Sequence, residues 1–562
     1  MRKVRGALLE VTIILCIGGL IGATLAVVSN YFIIGAEYLG KQRETGTLLN
    51  LKYGDQSISL SSLLFLWAAA AVVLLIKKGL KVTSWTGPAD AIYAAHQPNH
   101  PLDIKQGFAS TLAAFASAGG GASVGQYGPI VHFGATMGVW LKRFISSRLS
   151  YEIYLGCGVA AAISAGFNAP IAGVIFAHEA ILRRFSVSAI APITVASISA
   201  STLSNLWFPN ATAFEIGTAV PGLSEVVPFL MVLAPVFSMV AIAFMMTLRS
   251  SSNWAARTKI SPTVLLFAGA TVCGVVGIWV PQILGLGISS MNQMLAGDYG
   301  LTLLTTVLVA KILVTAICLS SGLFGGVFSP ALFIGVASGA LAGQLLTALG
   351  FTDVATVVTL AAMAAVSSAV IGAPLTAVMI VLELTHSYEY AVTAMIAVTL
   401  CSLVTNRLFA LSFYDRQLLD RGIDIGRGRD ALALSQERVG DIASADIVQA
   451  SPDTSGDQVY QSLLACGHTE AYVVAEGQLR GKLSIYDAIK ASADPVSSTM
   501  DVAPARLYTD QSLDYAMHKV SQFSGESLPV VDRATGRLCG RLTEGALFQA
   551  IIAVQRKARR PE

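Results

Sequence analysis

Apolar residues in this chain come in blocks rather than in alternation. After a first run from Leu8 to Ile34, further runs lie at 60–78, 105–118, 129–145, 151–166, 168–184, 187–206, 226–248, 262–284, 301–319, 329–349, 354–370, 372–385 and 389–411. Many are shorter than the roughly 20 residues a helix needs to cross a bilayer. Several are parted from the next by only a few residues containing Gly or Pro. Short, interrupted segments of this kind predict tilted or broken helices whose ends meet near the membrane midplane. From Asp415 onward the pattern changes. Charged residues become frequent, and hairpin-like stretches at 471–484 and 528–543 carry apolar runs around Gly-containing turns, which argues for strands.

Composition agrees with the pattern. Of 562 residues, 54% are hydrophobic and 13% charged, against roughly 25% charged in a soluble domain. The chain therefore reads as a multi-pass membrane protein with a soluble tail. No small-residue cleavage site follows the first run, so Leu8–Ile34 is expected to be retained as a helix. Its basic flank, Met1-Arg2-Lys3-Val4-Arg5, predicts a cytoplasmic N-terminus. The seven cysteines show neither metal-ligand spacing nor a framework of bridges. No nucleophile elbow, Walker loop or metal cluster is present, and an enzyme is not expected.

Two internal repeats organise the chain. Ser164–Glu179 aligns without gaps to Ser368–Glu383, sharing Ser, Ala, Ala-Pro, Val and Glu. Gly125, Pro129, Gly134 and Gly138 match Gly326, Pro330, Gly335 and Gly339, with Tyr127 on Phe328, at nearly the same offset of about 200 residues. Matched broken segments in two halves point to a transport site. In Gly125-Gln126-Tyr127-Gly128-Pro129 the glycines leave backbone N–H groups uncovered, and the proline suits the first turn of a helix. A loop feeding a helix N-terminus is a ready anion site, although a helix kink or close helix contact accounts for one such motif alone. The tail is a second duplication, residues 439–490 and 496–550.

These residues resemble the CLC chloride channels and chloride/proton antiporters, and the tail resembles a pair of CBS domains. Gly125–Pro129 is similar to the family's Gly-Lys/Arg-Glu-Gly-Pro loop, and Gly326-Val327-Phe328-Ser329-Pro330 matches its Gly-x-Phe-x-Pro loop. Phe167-Asn168-Ala169-Pro170 through Glu179, and Gly372-Ala373-Pro374-Leu375-Thr376 through Glu383, match the paired helices that follow. Tyr414 falls on the family's pore tyrosine. Ser84-Trp85-Thr86-Gly87-Pro88 replaces the family's Gly-Ser-Gly-Ile-Pro, so Ser84, Thr86 or neither supplies a hydroxyl there, and Trp85 reads alternatively as an interfacial anchor.

The resemblance implies an all-α polytopic membrane protein, an inverted repeat of tilted and broken helices, followed by an α+β tandem CBS module. The implied divisions are a pore domain at 1–414 with repeats at about 80–250 and 260–414, a linker at 415–437, CBS modules at 438–492 and 493–556, and a tail at 557–562. It implies a homodimer with one pore per subunit in a bacterial-type inner membrane, with the CBS domains cytoplasmic. The expected ligands of chloride or another small anion are Gly125, Gln126, Tyr127, Gly128, Val327, Phe328 and Tyr414, with Ser84 or Thr86. Helix-end dipoles suit this task, because a fixed cation would hold the anion too tightly to conduct.

Two departures bear on mechanism. Tyr127 stands in place of the family's gating glutamate, and a phenol that titrates near pH 10 is a poor proton shuttle at neutral pH. Ala180 stands at the antiporters' proton-relay position. Passive anion conduction without strict proton coupling is therefore expected; the alternative is an antiporter with a non-standard route through Glu179 or a histidine such as His132 or His178. Glu179 and Glu383, at equivalent repeat positions, read more simply as structural carboxylates. In the tail, Ser484 and Asp487, with Thr543 in the second module, are candidates for an adenine nucleotide, the one cofactor expected.

Overall fold

The computed structural model describes residues 2–45, 50–53, 56–97, 101–145, 149–209, 222–523 and 525–559. They form two compact units, Met1–Arg421 and Gly422–Glu562.

The first unit is helical apart from a hairpin of β1 (Asn50–Tyr53) and β2 (Gln56–Ser59). Its first eight helices are α1 (Arg2–Thr45), α2 (Ser61–Gly79), α3 (Pro88–His96), α4 (Ile104–Gly119), α5 (Tyr127–Lys142), α6 (Tyr151–Phe167), α7 (Pro170–Phe176) and α8 (Val187–Trp207). The next eight are α9 (Leu223–Arg257), α10 (Pro262–Trp279), α11 (Ile288–Ala296), α12 (Leu301–Ser321), α13 (Phe328–Ala348), α14 (Ala355–Ile371), α15 (Pro374–Thr385) and α16 (Tyr388–Leu408). A short α17 (Phe413–Leu419) follows. Helices satisfy their own backbone where no water can. Among the described residues, eight helical stretches are long and apolar enough to cross a membrane.

Packing repeats across the unit. Helix α5 packs on α6 as α13 does on α14, α6 on α8 as α14 on α16, and α1 on α8 as α9 on α16. The smaller helices obey the same rule, α3 on α5 and α11 on α13. The halves are thus α1–α8 and α9–α16. Helices α1 and α9 thus hold equivalent packing positions, although neither carries a matched motif.

The matched glycines explain why the crossings are close. A β-carbon on Gly134 or Gly138 would collide with the Gly158 or Tyr154 carbonyl of α6. In the other half, Gly335 and Gly339 place theirs 2.7 and 2.6 Å from the Met363 and Thr359 Cα atoms of α14. Lipid supplies no hydrophobic drive between helices, so such backbone contact is what holds them together.

The 415–437 segment, expected as a linker, spans the boundary between the two units. Its start lies in α17, held by an Arg183–Asp415 ion pair, and its end forms α18 (Gly428–Gln436) in the second unit.

The second unit is duplicated too. Its elements are α19 (Val439–Ile442), β3 (Val448–Ala450), α20 (Gly456–Cys466), β4 (Glu470–Ala475), β5 (Gln478–Ser484), α21 (Ile485–Ala491), β6 (Leu507–Tyr508), α22 (Leu513–Val520), β7 (Ser527–Val531), β8 (Leu538–Thr543) and α23 (Glu544–Arg559). In each sheet the first strand pairs parallel and the third antiparallel with the middle one. The modules exchange their opening segments. Leu434 and Val439 pack in the second core, whereas Val496 and Met500 pack in the first. Correspondingly, Ser444 pairs with Arg541 on β8, and Asp501 with Lys482 on β5.

Candidate anion pathway

The two glycine loops that open α5 and α13 lie back to back inside the membrane unit. Gly125 N–H donates to the Gly326 carbonyl at 2.8 Å, and Gly326 N–H donates back at 2.6 Å. Only glycines allow the approach, since a β-carbon on Gly128 would lie 2.9 Å from the Gly326 Cα. Gln126 N–H donates to Ser329 Oγ at 3.3 Å. The expected donors Gly125 and Gln126 therefore spend their amides on bridging the loops. The amides of Tyr127 and Gly128, and of Val327 and Phe328, donate to no acceptor among the described hydrogen bonds. They belong to the starts of two helices whose first turns are buried, where N–H groups lack intrahelical partners and the helix dipole favours an anion.

Aromatic rings cluster at these two helix starts. Tyr127, 3% exposed, stacks on Phe167 with centroids 3.9 Å apart and planes 17° apart. Phe328 lies 5.6 Å from Tyr127 and 5.5 Å from Phe167, and Phe176 stacks on its other side at 6.2 Å. A β-carbon on Gly166 would sit 2.9 Å from the Tyr127 ring, so Gly166 makes room for it. In the sequence Phe167 stands within a motif, and no pattern singles out Phe176.

The third loop joins less completely. Pro88, at the start of α3, lies 3.6 Å from the β-carbon position of Gly128. Ser84 is exposed, while Thr86 is turned to Ser110 Oγ, with its amide at 3.0 Å and its hydroxyl at 3.2 Å. Trp85 packs its ring on Phe324, 5.8 Å away, just before the second-half loop. The N-terminus of α3 is already capped, because Gly87 N–H donates to Asp90 Oδ2 at 2.7 Å. Arg421 pairs with the other Asp90 oxygen at 2.8 Å. Tyr414 is buried on α17, which packs against α3 and α14.

Glu179 and Glu383 exchange caps across the halves. Glu179 accepts from the amides of Leu375 and Thr376, both at 2.8 Å, and from Thr376 Oγ1 at 2.7 Å. Glu383 accepts from Ile171 and Ala172 amides at 2.8 and 2.7 Å. Each carboxylate thus satisfies the orphan donors of the other half's helix start. Ala180 is buried in a π-helical turn, Ala177–Leu182, that continues α7. His178 Nδ1 pairs with the Arg184 carbonyl at 2.8 Å. His132 is buried with neither ring nitrogen bonded.

In the tail, Ser484 and Asp487 bond one another. The hydroxyl donates to the carboxylate at 2.6 Å and accepts the Asp487 amide at 3.2 Å, which caps α21. Thr543 Oγ1 accepts from Ala546 N–H at 3.2 Å. A polar cluster sits elsewhere between the sheets. Lys482 pairs with Glu470 at 2.6 Å, Glu470 also accepts from Ser527, and Ser527 bonds Tyr472 at 2.6 Å. Burial pushes the Tyr472 hydroxyl up to about 12.

A duplicated helical membrane unit that brings two buried helix starts with unbonded amides side by side is the architecture of an anion transporter or channel. Residues 68–406, more than half of the chain, match the family model for the voltage gated chloride channel, and the chain belongs to that family. It is 28% identical over 357 residues to a ClcB-like protein of Ralstonia nicotianae, which covers 61% of this chain and 82% of the relative. It is 24% identical over 387 residues to the voltage-gated ClC-type chloride channel ClcB of Shigella flexneri, covering 67% and 91%. Among solved structures it is similar to a slow cyanobacterial Cl-/H+ antiporter, with a TM-score of 0.64, 20% identity, and 73% and 96% covered. A eukaryotic CLC transporter matches with a TM-score of 0.64 at 19% identity, covering 96% of this chain and 98% of that one. The structural likenesses establish the CLC fold.

Proposed function

We propose that the membrane unit conducts chloride and similar small anions passively, without strict proton coupling. The path runs past the amides of Tyr127, Gly128, Val327 and Phe328 and on to the Tyr414 hydroxyl, with the Tyr127 ring as its constriction. The observation that carries this reading is the buried phenol of Tyr127, stacked on Phe167, where the resemblance leads one to expect a carboxylate gate. A neutral phenol cannot compete with an anion for the amides as a carboxylate does, and it does not shuttle protons near neutral pH. Ala180, buried at the relay position, supports the same reading. So do relatives named chloride channels.

A second reading, an exchanger with its own proton route, is favoured by the unbonded ring of buried His132 and by fold neighbours described as antiporters. Glu179 fits that route poorly, since its carboxylate is spent on three donors. The test is chloride flux from liposomes holding Tyr127→Glu. Flux that becomes pH-dependent, against a pH-independent wild type, supports passive conduction gated by this position. An unchanged profile contradicts it.

For the whole protein we infer a homodimer with one path per subunit in a bacterial-type inner membrane, its N-terminus and tail cytoplasmic. The tail reads as a tandem CBS pair, supported by its duplicated topology and exchanged strand edges. Adenine nucleotide binding near Ser484, Asp487 and Thr543 requires their capping bonds to open. Calorimetric titration of the full chain with AMP and ATP tests it, and absence of heat leaves the tail a packing role.

A further inference from the structure

Cys273, on α10, and Cys318, on α12, are fully buried, and the anion path uses neither. Their helices pack on one another. A β-carbon on Gly269 would lie 2.0 Å from Ser321 Oγ, so the two backbones cross closely there. One turn further along α10 stands Cys273, and one turn back along α12 stands Cys318. Their thiols hydrogen-bond one another, and both are free.

The pair faces the segment that feeds the first glycine loop. Cys273 Sγ donates to the Gly121 carbonyl at 3.8 Å. Thr315, one turn before Cys318, bonds Ser123 Oγ at 3.0 Å. Gly121–Ser123 leads directly into Gly125. Two cations complete the surroundings. Arg43 is 5% exposed and Lys311 1%, and both act electrostatically on Cys273. A β-carbon on Gly121 would lie 2.4 Å from Arg43 Nη1. Lys311, two turns before Cys318 on the same helix, donates to the neutral Ile283 carbonyl at 2.9 Å. Cations beside a thiol favour the nucleophilic thiolate, and a second thiol in contact can resolve its oxidised form. Burial excludes bulky oxidants, so the reagent must be small and uncharged.

We propose that Cys273 and Cys318 form a redox pair that a small hydroperoxide converts to a disulfide, stapling α10 to α12 behind the first glycine loop. The Cys273 thiolate attacks one peroxide oxygen, the O–O bond breaks, and a sulfenic acid and hydroxide result. The Cys318 sulfur then attacks the Cys273 sulfur, and hydroxide leaves as the S–O bond breaks and the S–S bond forms. The two protons released by the thiols convert the two hydroxides to water. Two electrons pass from the thiols to the peroxide, and a reducing dithiol reverses the change. Bond formation is independent of the anion-path reading, whereas its effect on flux rests on that reading. Oxidation removes the thiol bond to the Gly121 carbonyl and fixes the helix pair behind the loop, so the oxidised protein conducts less.

The test treats the purified full-length protein with hydrogen peroxide, blocks the remaining thiols and maps disulfides by peptide mass spectrometry, beside chloride flux from liposomes. A Cys273–Cys318 disulfide is expected in the wild type and in a variant carrying Cys16→Ser, Cys466→Ser and Cys539→Ser, which removes the exposed thiols. Dithiothreitol should reverse it, and Lys311→Met should slow it several-fold. Flux is expected to fall about twofold on oxidation and recover on reduction, while Cys318→Ser should not respond to peroxide. If that variant does not fold, Cys318→Ala and the wild-type peptide map decide. Recovery of both residues as blocked thiols while the exposed cysteines oxidise overturns the inference. So does a sulfinic acid at either position without the disulfide. A disulfide with unchanged flux supports the redox pair and overturns its control of the loop. A disulfide in a protein that passes no chloride even when reduced supports the pair and sinks the anion path.

Discussion

At the start of α5 the chain reads Gly125-Gln126-Tyr127-Gly128-Pro129, and at the start of α13 it reads Gly326-Val327-Phe328-Ser329-Pro330. The backbones are equivalent: each glycine donates to the other, and each loop leaves its amides at a buried helix start. The surroundings are not. Tyr127 lies on Phe167 and against Gly166, whose counterparts in the second half are Ile371 and Val370. Phe328 has no stacking partner from its own half and leans on Phe176 and Tyr127 instead. The broken helix after Phe167 also holds one more residue before its left-handed end, taken up by the π-turn that contains Ala180. Such turns recur at functional sites. Symmetry thus builds the paired helix starts proposed as the anion cradle, and the first half alone is reshaped around a bulky, neutral residue at its centre.

The comparison can be broken at the backbone first. Gly158→Leu forces a side chain into the Gly134 carbonyl, and the expected result is no monodisperse protein on gel filtration. Val336→Leu, a change of one methylene on the same fold, should survive. The reciprocal caps come next. Glu179→Ala strands three donors and Glu383→Ala two, so losses of about 3–5 and 2–4 kcal/mol are expected. Thermal unfolding in detergent should rank Glu179→Ala below Glu383→Ala.

Smaller effects sharpen the side-chain difference. Tyr127→Ala is expected to raise chloride flux several-fold in liposomes, and Phe328→Ala to raise it less, because Tyr127 is stacked more tightly, 3.9 Å from Phe167 against 6.2 Å between Phe328 and Phe176. Equal effects would mean that the halves contribute equally to the constriction. Ser329→Ala removes one long bond to the Gln126 amide and should cost about 1 kcal/mol or less, leaving flux within about twofold of wild type.

Much of this was legible in the sequence, for identifiable reasons. Block-like hydrophobicity located the long helices because each needs a continuous apolar face, and the paired glycine motifs marked the closest helix crossings. The short helices α3, α11 and α17 were missed because so few residues make no hydrophobic run. The equivalence of α1 and α9 is not legible in the sequence, because they match in packing alone. Glu179 and Glu383 were visible as equivalent residues, but each one's partner lies in the other half of the chain, which no local pattern reveals. The same is true of the Gly125 amide, whose acceptor is Gly326.

The central claim is that a phenol at position 127 leaves this protein without a proton carrier at its gate. The direct measurement is simultaneous recording of chloride and proton movement across liposomes containing the purified full-length protein under an imposed chloride gradient. Chloride flux with no stoichiometric proton movement, and a reversal potential that follows the chloride gradient alone, is the predicted result. Protons moving against chloride in a fixed ratio would contradict it.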